Sequence, residues 1–219
     1  MAKVTWLGQS CFQISVSSSK DNSAEIVIDS FNANGGLKVK KLDADVLLVT
    51  HDHPDHNYKE NIKGNYFLIS GPGEYEVKGV FIRGIPGFHD NVQGKEKGKI
   101  TMYTIEAEGI KFCHLSDLGQ AELTDDQLEE IDGVDVLMVP VGGAGLTIDG
   151  QGASKIIAQI EPKIVIPMHY HLPGLKMKLE DVSKFLKAMG KNSVVPQEKL
   201  QVKLNTLPKE GMEVVTLLP

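Results

Sequence analysis

Val46-Leu47-Leu48-Val49-Thr50 runs without a break into His51-Asp52-His53-Pro54-Asp55-His56. The first five residues form the continuous apolar run of a strand buried on both faces, and the polar hexapeptide is where that strand must end. Three of the chain's seven histidines fall in those six positions. By composition alone, H-x-H-x-D-H would arise roughly 4 × 10⁻⁴ times in a chain of this make-up, so a polar turn formed by accident is a poor account of it. Residues two apart in an extended chain point to one side, so His51 and His53 can present both imidazoles to one metal ion. Pro54 keeps His53 out of the helical region. Beyond it, Asp55 and His56 are neighbours that can address a second position with a hard oxygen and a nitrogen. Each position still needs partners from elsewhere. Three candidates stand at the ends of later strand-like runs: His89 in Pro86-Gly87-Phe88-His89-Asp90, Asp117 in His114-Leu115-Ser116-Asp117-Leu118-Gly119, and His169 in Ile166-Pro167-Met168-His169-Tyr170.

Upstream of the hexapeptide, Val4 to Ser19 reads as two β runs broken at Gly8-Gln9-Ser10. Ala24 to Asp29 follows a polar turn at Lys20 to Ser23. Downstream, Tyr66–Ser70, Glu74–Lys78, Val80–Ile85, Lys99–Glu106 and Ile110–His114 continue the β pattern, with Glu108-Gly109 as a hairpin turn. After Asp117 the period changes. Thr124 is placed to cap a helix, Val134–Val141 and Lys163–Met168 are buried strands, and helices are expected over Ser154–Ile160 and Leu179–Met189. Leu200–Leu204 and Met212–Leu218 read as a closing hairpin. A meander followed by strands alternating with helices implies one domain over residues 1–219. Its expected class is α/β, a four-layer αββα sandwich of two mixed sheets packed face to face with helices outside.

The 219 residues are 41% hydrophobic, 24% charged and 6% aromatic, which excludes disorder, collagen-like repeats and a disulfide scaffold. A net charge of −6 offers no general phosphate-binding face, so nucleic acid is disfavoured as a partner. No apolar run approaches the ~18 residues of a membrane span and the start lacks a secretory pattern, so no membrane and a cytoplasmic location are expected. Cys11 and Cys113 sit in apolar strand-like settings and read as buried free thiols.

This order of motifs, H-x-H-x-D-H, then a His, an Asp in Ser116-Asp117-Leu118-Gly119 and a His in I-P-M-H-Y, resembles the metallo-β-lactamase fold superfamily over Val4 to about Gly174. Within it the chain is most similar to small hydrolases related to L-ascorbate 6-phosphate lactonase, through Trp6-Leu7-Gly8-Gln9-Ser10-Cys11-Phe12 and Asp29-Ser30. Gln9 stands where that branch usually has His, and Ser30 where it usually has Pro. The resemblance implies two divalent metal ions, zinc first with manganese or iron also accommodated. His51, His53 and His89 would hold one, Asp55, His56 and His169 the other, and Asp117 would bridge them. It further implies a hydroxide between the ions as nucleophile on an ester, lactone or phosphoester, with Asp55 orienting it and Asp29 accepting from a ligand imidazole.

Of the remaining residues, His171 would share the metal-facing side with His169 in an extended segment, as a catalytic proton donor or a substrate contact. His114 would face away from Asp117 as a hydrogen-bonded core residue. Asp90 reads as a turn residue, Met168 as core, and Gly142-Gly143-Ala144-Gly145 as a flexible loop near the site mouth. Gly94 to Lys99 reads as a solvated hairpin loop that could still offer a lysine to an anionic group. The expected partner is a small-molecule substrate, with an anionic one and homo-oligomers both left open. The rival readings are a metal-holding binding or regulatory protein without turnover, a nuclease or phosphodiesterase, and di-iron redox chemistry. The last is disfavoured because flavodiiron relatives carry Glu at the place of His53 and no flavin domain follows.

Overall fold

The computed structural model describes residues 1–19 and 22–219, so Lys20 and Asp21 of the expected polar turn lie outside the described residues. The first half of the chain supplies β1 (Ala2–Trp6), β2 (Phe12–Ser19), β3 (Asn22–Ile28), β4 (Leu42–Asp43), β5 (Val46–Leu48), β6 (Ile62–Lys63) and β7 (Phe67–Ile69). The second half supplies β8 (Gly73–Val77), β9 (Val80–Phe88), β10 (Lys99–Ala107), β11 (Ile110–His114), α1 (Asp125–Ile131), β12 (Val136–Pro140), α2 (Gly150–Ile160), β13 (Ile164–Met168), α3 (Val182–Ala188), β14 (Leu200–Val202) and β15 (Glu213–Val214). Two mixed sheets result, in the orders β14-β1-β2-β3-β5-β7 and β15-β13-β12-β11-β10-β9-β8.

The strand period sorts side chains between two cores. Ile26, Ile28, Val46 and Leu48 point inward and join Met102, Tyr103, Phe112 and Cys113 of the facing sheet. Val27 and Leu47, one residue out of phase, pack outward against Cys11, Phe31, Leu42 and Ile62. That outer face is covered by residues 31–66, including a two-stranded ladder pairing Leu42 with Ile62. Among the described residues the three α-helices come from the second half, where Ala153, Ile156 and Ile157 of α2 and Phe185 of α3 are buried in the main core. β12 and β13 are buried along their whole length, as their uninterrupted apolar sequences require.

Several elements follow local rules closely. Ala107 pairs with Ile110 across Glu108 and Gly109, whose φ angles of 55° and 73° are the left-handed pair a tight two-residue hairpin needs. Thr124 caps α1 in a capping box with Gln127. Three expectations are corrected. α2 begins at Gly150 instead of Ser154, because the Asp149 carboxylate caps it by accepting from the Gln151 and Gly152 amides. α3 is confined to Val182–Ala188, since Asp181 caps it and Glu180 is engaged elsewhere, donating its N–H to the Gly142 carbonyl. The terminal strands form no hairpin: β14 runs antiparallel to β1 in one sheet and β15 parallel to β13 in the other, each finding a free sheet edge.

The two cysteines lie in different cores, Cys11 in the outer one and Cys113 in the main one, and both are free. Burial pushes the Cys113 thiol up to about 12. Among the described residues, no helix is long and apolar enough to cross a membrane.

What this topology does for function is concentrate strand ends. β3, β5 and β7 are parallel, as are β11, β12 and β13, and β9 runs the same way as β11 because each is antiparallel to β10. The residues that follow β3, β5, β9, β11 and β13 are Asp29, Thr50-His51, His89, Asp117 and His169. Crevices at the carboxyl ends of parallel strands are where α/β folds place their sites.

Candidate metal centre

His51, His53 and His89 have ligand atoms mutually within 4.8 Å, as do Asp55, His56 and His169, and as do His51, His56 and Asp117. The seven residues singled out from the sequence therefore converge on one place. His51 Nε2 lies 3.0 Å from His53 Nδ1, and the His51 ring is 5.0 Å from that of His89. Asp117 Oδ2 stands at the junction, 3.1 Å from His56 Nε2, 3.3 Å from His169 Nε2 and 3.9 Å from His89 Nε2. Asp55 Oδ2 is 3.6 Å from His56 Nε2 and 3.9 Å from His169 Nε2. Pro54 breaks the chain between the two groups, and the turn it starts is closed by the His56 and Asn57 amides donating to the His53 carbonyl.

A second layer of hydrogen bonds fixes which ring nitrogens face inward. The buried Asp29 carboxylate accepts from the Thr50 amide at Oδ1 (2.9 Å) and from the Thr50 hydroxyl (2.8 Å) and His56 Nδ1 (2.8 Å) at Oδ2. The Thr50 oxygen, its proton directed at Asp29, accepts from His51 Nδ1 at 2.9 Å. One carboxylate thus engages the Nδ1 side of both His56 and, through Thr50, His51, and directs their Nε2 atoms at the centre, the arrangement that orients metal-binding imidazoles. Asp117 Oδ1 accepts from the Ser10 hydroxyl at 3.0 Å, which leaves Oδ2 free. His114 is buried in the layer behind: its Nε2 donates to the Ser10 carbonyl and its Nδ1 accepts from the Ser116 amide, so it supports Asp117 indirectly.

The backbone is bent to hold these residues. Gln9, Asp29, Ser116 and His169 are non-glycine residues with φ between 50° and 56°. Such conformations cost of order 1 kcal/mol or more each and gather at functional sites. Two glycines admit the strand ends. A Cβ on Gly142 would lie 2.0 Å from the His169 carbonyl oxygen, and one on Gly119 would lie 2.3 Å from that of His89. Gly142 is therefore a packing necessity behind His169, and its loop is pinned by the Gly143 amide on the Ile148 carbonyl and the Glu180 amide on the Gly142 carbonyl.

Electrostatics set the carboxylates against the imidazoles. Burial disfavours a charge on His56, but Asp117 and Asp29 on either side outweigh it and hold its pKa well above the usual value. Burial acts the same way against Asp117, yet His169 and His56 hold its carboxyl well below the ordinary range. Burial works against a charge on Asp55, yet its neighbours His169 and His56 overcome it and draw the carboxyl down to about 2. His51 is pushed down to about 3 by burial and by His56.

His171 stands apart. The extended geometry expected from His169 to His171 does not form, because the left-handed φ of His169 turns the chain, and His171 is exposed with its backbone N–H on the Glu180 carbonyl and its ring near Asp181. Asp90 does more than a turn residue: its carboxylate accepts from the Val92, Gly94, Glu96 and Lys97 amides and organises the whole loop after His89. In that loop Lys95 and Lys99 are exposed as expected, but Lys97 is half-buried and donates to the Gly145 carbonyl. Ser10 and Thr50 escaped the sequence reading. Thr50 had a signal, since it abuts His51 at the strand end; Ser10 had none, because its partner is 107 residues away.

The cluster suits divalent metal. His56 Nε2 and His169 Nε2 are buried without a hydrogen-bond partner, within ion-pair reach of Asp117 but lacking the angle of a hydrogen bond. Buried polar atoms without partners are costly, and a cation satisfies several at once. A set of imidazole nitrogens with carboxylate oxygens is the donor chemistry of zinc, and also of manganese or ferrous iron.

Comparison with known proteins assigns the chain to a family. Residues 3–169 match the Beta-lactamase superfamily domain. A UPF0173 metal-dependent hydrolase of Thermococcus onnurineus is 32% identical over 218 residues, covering 85% of this chain and 92% of its own. A Thermotoga maritima structure, assigned as a Zn-dependent hydrolase of the metallo-beta-lactamase superfamily, is 37% identical, covers 99% of both chains and superposes with a TM-score of 0.78. Igni18, a metallo hydrolase from Ignicoccus hospitalis, shares the fold at 21% identity and a TM-score of 0.66. The chain belongs to the beta-lactamase superfamily and, within it, to the UPF0173 metal-dependent hydrolases.

Proposed function

We propose that this chain is a binuclear metal hydrolase acting on an ester, lactone or phosphoester of a small molecule. The observation that carries the reading is the division of the seven residues into two three-ligand groups with Asp117 Oδ2 close to both. When bound, two such ions supply a water of lowered pKa as nucleophile and polarise the scissile carbonyl or phosphoryl group. His51, His53 and His89 would hold one ion, Asp55, His56 and His169 the other, with Asp117 between them. Zinc is the first expectation.

The protein's own part is positioning and proton handling. Asp29 and Thr50 fix the tautomers of His56 and His51, and Ser10 turns the Asp117 carboxylate so that one oxygen is free. Asp55 is half-buried and ionised, so it accepts a hydrogen bond from the attacking water and orients it. His171, exposed beyond the turn at His169, is the candidate proton donor to the leaving group.

The test is metal stoichiometry by elemental mass spectrometry on protein purified without a histidine tag. It is paired with a panel of phosphodiesters, lactones and thioesters assayed with and without chelator. Near two metals per chain with chelator-sensitive turnover is expected. Two metals with no turnover on any ester would favour a binding role, and no metal would overturn the reading.

A further inference from the structure

Beside His89 lies a cleft of about 300 Å³, walled on one side by the loop after β9 and on the other by the turn at Gly145-Leu146-Thr147. Its first wall is stiff, because Asp90 accepts from four backbone amides of its own loop and the His89 amide is tied to the Gly98 carbonyl. Its cation is Lys97. The lysine spans the cleft to donate to the Gly145 carbonyl, which leaves two of its three N–H donors unspent. Among the described residues no carboxylate lies within 4 Å of its ammonium, in contrast to Lys78, Lys163 and Lys184, each of which has one. Two acids share the lining. Asp90 is saturated by the four amides that converge on it, and Glu96 is exposed. An ammonium with donors to spare, not ion-paired to either acid of the lining and carried on a half-buried side chain in a stiff-walled cleft that opens against a candidate metal ligand, is placed to receive an anion.

We propose that this cleft is the subsite for an anionic group of the substrate, a carboxylate or a phosphate, distinct from the scissile bond, and that Lys97 is its specificity-determining contact. The inference rests on the hydrolase reading above and narrows it to substrates carrying a negative charge a few bonds from the bond that is cut.

Two matched substrates test it, 4-nitrophenyl 4-methylbenzoate and the 4-nitrophenyl hemiester of terephthalate, which share scissile bond and leaving group, differ in one terminal charge and hold that charge where it cannot reach its own ester. Lys97→Gln should raise KM for the hemiester about tenfold more than for the methylbenzoate, the size of one charge-assisted hydrogen bond, and Lys97→Arg should recover most of the difference. Equal changes for both esters would overturn the subsite. Calorimetric titration with inorganic phosphate, and separately with succinate, at matched metal content reads binding without turnover. Affinity for the preferred anion should fall about tenfold in Lys97→Gln, and the better of the two anions names the group. If the wild-type chain cleaves neither ester, the hydrolase reading loses support, while the titration still decides the subsite: equal affinity in wild type and variant would sink it.

Discussion

The two halves of the molecule build the candidate centre in different ways. The first half delivers four of its residues in a single hexapeptide whose own turn, closed by the His56 and Asn57 amides on the His53 carbonyl, sets their spacing. The second half delivers one residue per strand end. His89, Asp117 and His169 are each almost fully buried, and each is placed by sheet register and by close backbone contacts far from it in sequence. Local ligands can be lost one at a time with the fold intact. Ligands delivered by the sheet are coupled to the packing beneath them.

That contrast can be broken most severely at the junction. Asp117→Ala should reduce metal content toward zero and turnover by at least about 100-fold, since it removes the one oxygen that approaches His56, His169 and His89 together. Elemental analysis together with the chelator-sensitive assay reads both. Near-normal metal in that variant would remove Asp117 from the centre.

Gly142→Ala probes coupling between packing and ligand directly. The added methyl would sit 2.0 Å from the His169 carbonyl, so a loss of about 2–4 kcal/mol in unfolding free energy is expected, with metal affinity falling in parallel. A matched change in the first half, Thr50→Val, keeps the volume but removes the hydroxyl between Asp29 and His51. It should weaken metal binding about tenfold with a smaller effect on stability. If the two variants showed the same ratio of stability loss to affinity loss, the distinction between the halves would fail.

A gentler perturbation is pH. In the metal-free protein His56 has a raised pKa and Asp117 a lowered one, so their ion pair stabilises the fold above the usual carboxylate range and is lost as pH rises through the raised value of His56. Metal needs His56 neutral and must displace that proton. Burial lowers His51, to about 3, and also His89 and His114, and these three act the other way, taking up protons on unfolding as pH falls below the ordinary histidine range. Three against one, metal-free protein should be less stable at pH 5 than at pH 8 in denaturant titrations, and metal-loaded protein should lose more over the same interval, because metal needs every ligand imidazole neutral. An equal loss in both forms would show that metal displaces no proton from His56.

The legibility of the molecule follows the same division. The hexapeptide could be read because spacing along one chain fixes direction: alternate residues of an extended strand share a side, and a proline ends the run. The capped helix at Thr124 and the hairpin at Glu108-Gly109 were legible for the same reason, since their partners are three residues away or fewer. His89, Asp117 and His169 were visible as strand ends, but only family resemblance grouped them. The terminal strands read as a hairpin because apolar alternation cannot say which sheet edge a strand will meet.

By itself, then, the sequence determined that strands end in metal-binding residue types, that the core is large enough for one sandwich, and that two cysteines are buried. Only the tertiary structure decided that Ser10 holds Asp117 across 107 residues, that Asp29 serves two histidines at once, and that Lys97 leaves its solvated loop to bridge a cleft. The physical reason is that hydrogen bonds and ion pairs between distant residues depend on sheet register and loop closure, which no local period encodes.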